Sequence, residues 1–343
     1  MTATSAVVIP CRNEAATICK LLDAINAQTR PPDELIVVDD GSIDGTAEVV
    51  HEWQCAHPDA LARVVPGPCR GVAAAVNAGI QAAAAEVIVR LDGHSVPAPD
   101  YIELSLAALC RADVTVVGGV WDVQPGAPTA VATAIARVVS HPLGSGGASY
   151  RAPHTGGFAG ALPVDTVPFG AFRRELWVRL GGYDEALIAN EDYDFNYRVR
   201  RDGGLVLLDP RIRSQYFARP TLAALGHQYH RYGFWKAQML RKDPRALHWR
   251  QIPPAAVLPW LMAVAVMLVM MPTPMVFAAA AAYPLVVVVG AAHVALRANR
   301  LGHWLPACAA IAVVHLSWSA GFVRAALGIP APRSAPRQIN PTG

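Results

Sequence analysis

Residues 89–95 read Val-Arg-Leu-Asp-Gly-His-Ser, so an apolar run ends at Asp92 and leaves a carboxylate and an imidazole two residues apart. Aspartate oxygens and histidine nitrogens both bind divalent metal ions, and a metal ion held there can also bind a diphosphate. The same residue types are common in a simple turn, so this stretch alone does not decide between the two. A metal and diphosphate site would require a nucleotide pocket upstream and an acceptor groove downstream.

A second acidic pair, Asp39-Asp40, is followed by Gly41-Ser42 and then by Asp44 and Thr46. Asp44 or Thr46 alone is enough for a turn and a helix cap. Two consecutive aspartates at the end of a buried strand are not needed for a cap. They suit hydrogen bonding to a nucleotide base or ribose.

The third acidic pair is Glu191-Asp192, at the predicted start of a helix. Its simplest explanation is a favourable interaction with the positive end of the helix dipole. The pair also follows a glycine-rich segment and precedes an aromatic and basic helix. A carboxylate at the mouth of such a cleft can act as a general base.

Strands and helices alternate through the first 91 residues. Short apolar runs predict strands at 6–9, 35–38, 63–65 and 86–91, and helical spacing predicts helices at 14–28, 46–53 and 71–85. This alternation is typical of an α/β fold with a twisted, largely parallel sheet. Ligands bind beyond the C-terminal strand ends of such sheets, where Pro10, Asp39, Asp40 and Asp92 are placed.

Downstream, the pattern predicts helices at 101–111, 130–139 and 191–201, strands at 114–120 and 205–208, and ordered chain at 169–180. Helix 130–139 is expected to lie on the sheet or on a membrane. Residues 143–168 are rich in glycine and proline and show little periodicity, so we expect a long mobile loop that closes over an acceptor.

The helix predicted at 226–241 carries an unusual aromatic and basic surface, made by Tyr229, Arg231, Tyr232, Phe234, Trp235 and Lys236. Such residues are common in the belt beside a membrane, and they also suit an acceptor site. Both roles remain open for this amphipathic, interfacial helix.

The chain is 53% hydrophobic and only 16% charged, against about 25% charged in a typical soluble domain. The excess comes from three apolar runs, 255–271, 275–292 and 304–323, within a region 255–327. Helices of these lengths match the roughly 30 Å hydrocarbon core of a bilayer. We therefore expect transmembrane helices rather than a hydrophobic core, followed by a disordered tail at 328–343.

Positive charges predict how these helices are oriented. They cluster before the first run and between the second and third, at Arg241, Lys242, Arg245, Arg250, Arg297 and Arg300. Both clusters are expected on the cytoplasmic side. The third run either spans, which places Arg324 outside, or is re-entrant or interfacial.

The net charge, the N-terminal sequence and the cysteine pattern each argue against a class of function or a location. The net charge of +3 gives no sign of nucleic-acid binding, and the N-terminus shows no secretory signal. The six cysteines include no Cys-x-x-Cys pair, so neither a zinc knuckle nor a disulfide framework is expected, and a reducing cytosol fits best.

A set of ordered motifs makes residues 5 to about 240 resemble a family 2 glycosyltransferase with the GT-A fold. The motifs are Val8-Ile9-Pro10-x-x-Asn13-Glu14, Val37-Val38-Asp39-Asp40-Gly41-Ser42, Gly71 with Asn77-x-Gly79, Asp92-x-His94, Phe172-Arg173-Arg174, Gly181-Gly182-Tyr183-Asp184-Glu185 and Glu191-Asp192. Residues 164–170 and 228–236, before a hydrophobic tail, are similar to the succinoglycan-biosynthesis (ExoA-like) branch.

The resemblance implies a role for each site residue. Binding of the nucleotide sugar falls to Pro10, Arg12, Glu14, Asp39, Asp40, Arg70, Asn77, Asp92 and Gly93. Asp92 and His94 form the motif for a divalent metal, Mn²⁺ or Mg²⁺, and Asp192 is the catalytic base. The acceptor and diphosphate are contacted by Phe169, Gly170, Arg173, Glu191, Gln228, Arg231, Tyr232 and Trp235. Two positions depart from the family pattern: His94 replaces a second aspartate, and Tyr232 replaces a tryptophan.

The resemblance further implies a bacterial inner-membrane enzyme with a cytoplasmic catalytic domain. It would move a sugar, glucose in that branch, from a UDP-sugar to a hydroxyl of a polyprenyl-diphosphate-linked glycan with inversion. Two alternatives stay open: a transferase whose acceptor is polyprenyl phosphate itself, and an inactive sugar-nucleotide-binding membrane module.

Overall fold

The computed structural model describes residues 3–60, 62–151, 160–246, 248–298 and 301–331. Nine strands form one sheet in the order β3-β2-β1-β4-β8-β6-β9-β5, and β7 pairs with β9 outside this path. The strands are β1 Ser5–Cys11, β2 Glu34–Asp39, β3 Ala62–Pro66, β4 Val87–Arg90, β5 Val96–Pro97, β6 Val114–Gln124, β7 Leu162–Pro163, β8 Ala171–Arg173 and β9 Leu205–Phe217.

Strands β1 to β4 form a parallel block, as expected from the sequence. The apolar runs of β1, β2 and β4 are buried because helices cover both faces of this block, whereas β3 at the edge of the sheet is partly exposed. Cys11 at the end of β1 lies opposite Asp39 at the end of β2, so the carboxyl ends of these strands share one edge. Asp40 and Asp92 both follow strands that end at that edge.

The second half of the sheet is mixed. Strand β8 is antiparallel to both of its neighbours, β4 and β6, whereas β6 and β9 run parallel. The strand expected at 205–208 continues to Phe217. From Arg211 onward its residues alternate between exposed and buried, and the charged exposed side obscures the apolar alternation in the sequence.

Twelve α-helices are described. They are α1 Ile18–Asn26, α2 Thr46–Ala56, α3 Val72–Ala82, α4 Tyr101–Leu109, α5 Ala130–Ser140, α6 Pro142–Ser145, α7 Arg174–Leu180, α8 Glu191–Arg201, α9 Leu222–Lys242, α10 Ile252–Met270, α11 Pro274–Arg297 and α12 Trp304–Ala326. Helix α5 packs in one core with α9, α11 and α12, so its apolar face is covered by the C-terminal helices.

The segment expected as a loop, 143–168, has local structure in its described parts. It contains most of α6, a 3-10 turn at Ser149–Arg151, and β7. Thr166 and Val167 are buried. Residues 152–159 lie outside the described residues, and closure of this segment over an acceptor stays a prediction.

Three helical stretches are long and apolar enough to cross a membrane: Trp249–Met270, Pro274–Arg297 and Trp304–Ala326. The first is almost wholly exposed, which suits contact with lipid. The third lies along α9, where a Cβ on Gly233 would fall on the Trp318 carbonyl and a Cβ on Gly321 on the His230 carbonyl. The backbones of α9 and α12 therefore touch directly. The predicted tail beyond residue 331 lies outside the described residues.

Candidate active site

A cleft of about 1210 Å³ opens at the carboxyl edge of the sheet and continues to the C-terminal helices. One end is acidic, with Glu14, Asp40, Asp92, Glu191 and Asp192 in its wall. The parallel strand order brings these carboxylates together from segments far apart in the sequence. The acidic end therefore requires cations, either from the protein or from bound groups.

Arg90 supplies one such cation from inside β4. Its side chain is fully buried, and Nε and Nη2 donate to Asp92 Oδ1 at 3.2 and 3.0 Å. Nη2 also donates to Glu191 Oε1 at 3.0 Å, and Nη1 forms an ion pair with Asp192. One guanidinium thus joins the Asp92 motif to the first turn of α8.

Helix α8 begins immediately after Asn190, which takes a left-handed backbone conformation with φ 66°. Asn190 Nδ2 donates to the Tyr232 carbonyl of α9 at 3.1 Å, so the start of α8 is tied to α9. Burial raises the pKa of Asp192, Arg90 opposes this rise, and Glu191 adds to it. A carboxylate with a raised pKa in a cleft is suited to accept a proton from a bound group.

Glu14 and His94 meet across the ends of β1 and β4. His94 Nδ1 lies 3.1 Å from Glu14 Oε1. An ionised carboxylate only accepts, so Nδ1 carries the proton, and in the neutral imidazole Nε2 then has a free lone pair. Carboxylates hold metal-binding histidines in this way.

Asp40 is buried at the same end of the cleft. Its Oδ2 accepts a hydrogen bond from the Gly71 backbone N–H at 2.8 Å. Its Oδ1 is buried and has no hydrogen-bond partner among the described residues. A buried acceptor without a donor is costly, so a ligand N–H or O–H would stabilise this position.

The middle of the cleft has an aromatic wall. Trp121 of β6 stacks on Tyr216 of β9 with ring centroids 4.1 Å apart, and Phe169 lies 5.5 Å from Trp121. Gln228 Nε2 donates to the hydroxyls of Tyr216 and Tyr232, each at 3.0 Å. These contacts hold the long strands against α9.

The far end of the cleft is apolar. Val257 of α10, Val286 of α11, and Val314 and Trp318 of α12 line it. The cleft therefore connects the carboxylates of the sheet edge to helices with the length and composition of membrane spans.

The sequence profile of glycosyl transferase family 2 matches residues 6–176. The succinoglycan biosynthesis protein ExoA of Rhizobium meliloti (strain 1021) is 31% identical over 334 residues, which is 94% of this chain and 96% of that protein. The chain belongs to glycosyl transferase family 2.

A second relative, from Methanococcus voltae, is 26% identical over 71% of this chain and 76% of its own length. It is named as a dolichyl N-acetyl-alpha-D-glucosaminyl phosphate 3-beta-D-2,3-diacetamido-2,3-dideoxy-beta-D-glucuronosyltransferase. Among solved structures, the mannosyltransferase PcManGT of Pyrobaculum calidifontis, in complex with GDP-Man and Mn²⁺, superposes with a TM-score of 0.65 at 21% identity. That match covers 96% of this chain and 88% of the other, and it confirms the GT-A fold.

Most residues assigned from the family resemblance line the cleft. They are Pro10, Arg12, Glu14, Asp40, Asp92, Gly93, His94, Phe169, Glu191, Asp192, Gln228, Arg231 and Tyr232. The structure brings them together from six separate segments of the chain.

Six assigned residues lie off the cleft wall. Asp39, Arg70, Asn77, Gly170, Arg173 and Trp235 are not among its lining residues. Asp39 Oδ1 accepts from the Ser42 N–H at 2.9 Å and shapes the turn, while Arg70 pairs with Glu185 at 2.8 Å. Both have a structural explanation.

The other four also have structural contacts. Asn77 Oδ1 accepts from the Tyr183 N–H at 2.8 Å, and the Gly170 carbonyl accepts from the Arg90 N–H at 3.3 Å. Arg173 lies opposite Val87, at the amino end of β4, far from the acidic edge. Trp235 packs with the cluster between α9 and α12.

Five residues of the site were not predicted from the sequence: Arg90, Trp121, Arg151, Asn190 and Tyr216. Only Arg90 left a clear signal, because an arginine inside an apolar strand must find carboxylate partners. The aromatic wall depends on the pairing of β6 with the extended part of β9.

Proposed function

We propose that this family 2 glycosyltransferase is an inverting, metal-assisted enzyme that uses a UDP-sugar and a lipid-linked glycan. The observation that carries the proposal is the single cleft running from Asp92 and Asp192 to the apolar residues of α10, α11 and α12. A polar reaction centre joined to an apolar groove suits an acceptor with a sugar at one end and a polyprenyl chain at the other.

The nucleotide would bind at the β1–β2 end of the cleft. Asp40 Oδ1 needs a donor, and the N–H of a uracil base can supply one. Pro10 and Arg12 line the cleft and flank Cys11, whose carbonyl accepts a hydrogen bond from the Asp40 N–H at 2.9 Å. Uridine is therefore the nucleoside that we propose, with glucose as the sugar that the family resemblance implies.

A divalent metal fits this end of the cleft jointly with a diphosphate. His94 Nε2 and Asp92 Oδ2 are the available ligand atoms, and among the described residues no group of three or more histidines, cysteines, aspartates and glutamates is arranged to hold a metal alone. Phosphate oxygens and water would complete the coordination. When bound, the metal would stabilise negative charge on the departing diphosphate.

The chain's own residues would perform the proton transfer. The acceptor hydroxyl attacks the anomeric carbon from the face opposite the phosphate, and the electron pair of the carbon–oxygen bond leaves with the nucleoside diphosphate. Asp192 takes the hydroxyl proton, and Arg90 holds that carboxylate in place. A single displacement of this kind inverts the anomeric configuration.

We further propose that the catalytic domain lies on the cytoplasmic face of a bacterial inner membrane. The positive clusters before α10 and after α11 favour this orientation. Helices α10 and α11 then form a hairpin across the bilayer. Because α12 lies along α9 of the catalytic domain, we place it at the membrane surface.

Asp192→Asn tests the proposed function. The full chain in detergent is incubated with a panel of nucleotide sugars and a bacterial lipid extract, and release of nucleoside diphosphate is measured. We expect the parent protein to transfer sugar from the UDP-sugar and the rate to fall at least 10³-fold in Asp192→Asn. Titration of this variant with UDP should show unchanged binding. Asp202→Asn, just beyond the C-terminal end of the same helix, serves as the control.

Other outcomes identify the alternatives. Full turnover by Asp192→Asn would remove Asp192 as the base and favour a lipid phosphate as acceptor, because a phosphate is already ionised. Binding of UDP without turnover of any donor on any lipid would favour an inactive nucleotide-binding module.

A further inference from the structure

Arg151 lies in the wall of the cleft. Its side chain is 6% exposed, and its Nη1 donates to the Tyr229 hydroxyl at 3.3 Å. Burying a guanidinium costs free energy unless an anion compensates its charge. No carboxylate pairs with it among the described residues, and the residues outside the described ranges include no aspartate or glutamate.

Aromatic rings enclose this charge. The Arg151 Cζ atom lies 4.9 Å from the ring centroid of Trp121, 5.5 Å from that of Tyr150 and 5.7 Å from that of Tyr216. Cation–π contacts of this kind stabilise a cation without neutralising it. The charge therefore remains available to a ligand.

Two donors in this enclosure are unused. Arg151 Nε and Trp121 Nε1 are both buried and have no hydrogen-bond partner among the described residues. Both residues line the cleft. Unused donors beside an uncompensated positive charge are the chemistry that binds a phosphate oxygen.

The position of this enclosure indicates which phosphate it takes. Tyr216 and Tyr229 belong to the core that α9 shares with α11 and α12, and Trp121 packs against it. The proposed base-binding position at Asp40 lies at the acidic end of the cleft, beside β1 and β2, whereas this enclosure lies in the middle of the cleft. An anion at Arg151 is thus next to the apolar groove rather than next to the nucleoside.

We propose that Arg151, with Trp121, binds the phosphate group of a polyprenyl-phosphate or polyprenyl-diphosphate acceptor. The inference rests on the proposed function and deepens it, because it separates an acceptor phosphate subsite from the donor diphosphate subsite. Arg151 holds the lipid headgroup, and the prenyl chain extends toward Val257, Val286 and Val314.

Farnesyl diphosphate, farnesol and UDP are the probes. Each is titrated against the full chain in detergent, with protein fluorescence as the readout. The parent protein is expected to bind farnesyl diphosphate at least tenfold more tightly than farnesol. Arg151→Met should abolish this preference because it weakens the binding of farnesyl diphosphate but not of farnesol. Its affinity for UDP should stay within twofold of that of the parent protein.

Two conservative variants guard against a folding defect in Arg151→Met. Arg151→Lys keeps the charge and should retain part of the preference, and Trp121→Phe keeps the ring but removes one donor, so a roughly threefold loss is expected. The control is Arg111→Met, because Arg111 is exposed and pairs with Asp113. Melting temperatures show whether each variant is folded.

Three results would overturn the proposal. The first is unchanged farnesyl diphosphate binding in Arg151→Met. The second is a parallel loss of UDP binding in that variant, which would assign Arg151 to the donor subsite. The third is inorganic pyrophosphate that competes for the site as well as farnesyl diphosphate does, which would leave no role for the lipid. If the parent protein binds farnesyl diphosphate as expected but transfers no sugar, only the proposed function is contradicted.

Discussion

Arg90 of β4 forms an ion pair with Asp192 of α8, a residue 102 positions further along the chain. The same guanidinium contacts Asp92, so the strand end that would face a diphosphate and the carboxylate that would accept a proton are held by one side chain. The relative position of the two halves of the reaction centre therefore depends on Arg90.

Arg90→Lys should slow transfer and shift its pH dependence. Burial raises the pKa of Asp192, and Arg90 opposes this rise. A base works when ionised, so activity falls as the pH falls through the pKa of Asp192. A lysine makes fewer contacts and opposes the rise less, so the acid limb of kcat/KM should move to higher pH. A pH series of initial rates measures this shift.

Arg198→Lys is the matched control, since Arg198 pairs with Asp194 on α8 at 2.8 Å and does not line the cleft. Its acid limb should coincide with that of the parent protein. Identical profiles for Arg90→Lys and the parent would refute control of Asp192 by Arg90. Arg90→Met leaves three carboxylates uncompensated and should destabilise the fold by about 3–5 kcal/mol.

The strand ends of the first half were predictable because each depends on local pattern. An apolar run of four to six residues followed by aspartate and glycine marks both Asp40 and Asp92, and parallel pairing places them on one edge. The GT-A fold and three helices able to span a membrane were confirmed.

The middle of the cleft was not predictable in this way. Arg151 lies in a segment without periodicity, and its surroundings come from β6, β9 and α9, which are distant in sequence. The strand expected at 114–120 continues to Gln124, and this continuation brings Trp121 against Tyr216. The positions of Trp121 and Tyr216 depend on pairing between β6 and the part of β9 that was not predicted from the sequence.

Asp40→Asn should weaken UDP binding at least tenfold. Asp40 Oδ2 already accepts the Gly71 N–H, and Oδ1 is free for a ligand donor. An asparagine must point its amide N–H₂ at one of these two donors in either orientation, which loses about 1–3 kcal/mol. Isothermal titration with UDP measures the change.

Asp39→Asn is the control for this experiment, because Asp39 does not line the cleft and an asparagine can still accept from Ser42. Its UDP affinity should stay within threefold. Equal losses in both variants would argue against a specific hydrogen bond from Asp40 to the base.

Glu14→Gln should raise the metal concentration needed for half-maximal transfer by about tenfold. Glu14 holds His94 Nδ1, and loss of such a carboxylate partner typically weakens metal binding 10–100-fold. Chelation should abolish transfer, and Mn²⁺ or Mg²⁺ should restore it. Unchanged metal dependence in Glu14→Gln and in His94→Ala would exclude His94 as a ligand.

Reporter fusions should place the turn between α10 and α11 outside the cytoplasm and the C-terminus inside it. A phosphatase that works only after export should be active when fused after residue 273, and a fluorescent protein that folds only in the cytoplasm should fluoresce after residue 343. The opposite result at the C-terminus would mean that α12 spans.

The C-terminus is expected inside the cytoplasm because α12 contacts α9 of the catalytic domain. Arg241 Nη2 donates to the Ala326 carbonyl at 3.2 Å, and the two helices touch at Gly233 and Gly321. A spanning α12 would draw α9 into the bilayer, where each arginine or lysine at mid-depth costs about 2.5–3.5 kcal/mol. Gly321→Leu would force the two helices apart, so it should lower transfer while leaving the fusion reporter after residue 273 unchanged.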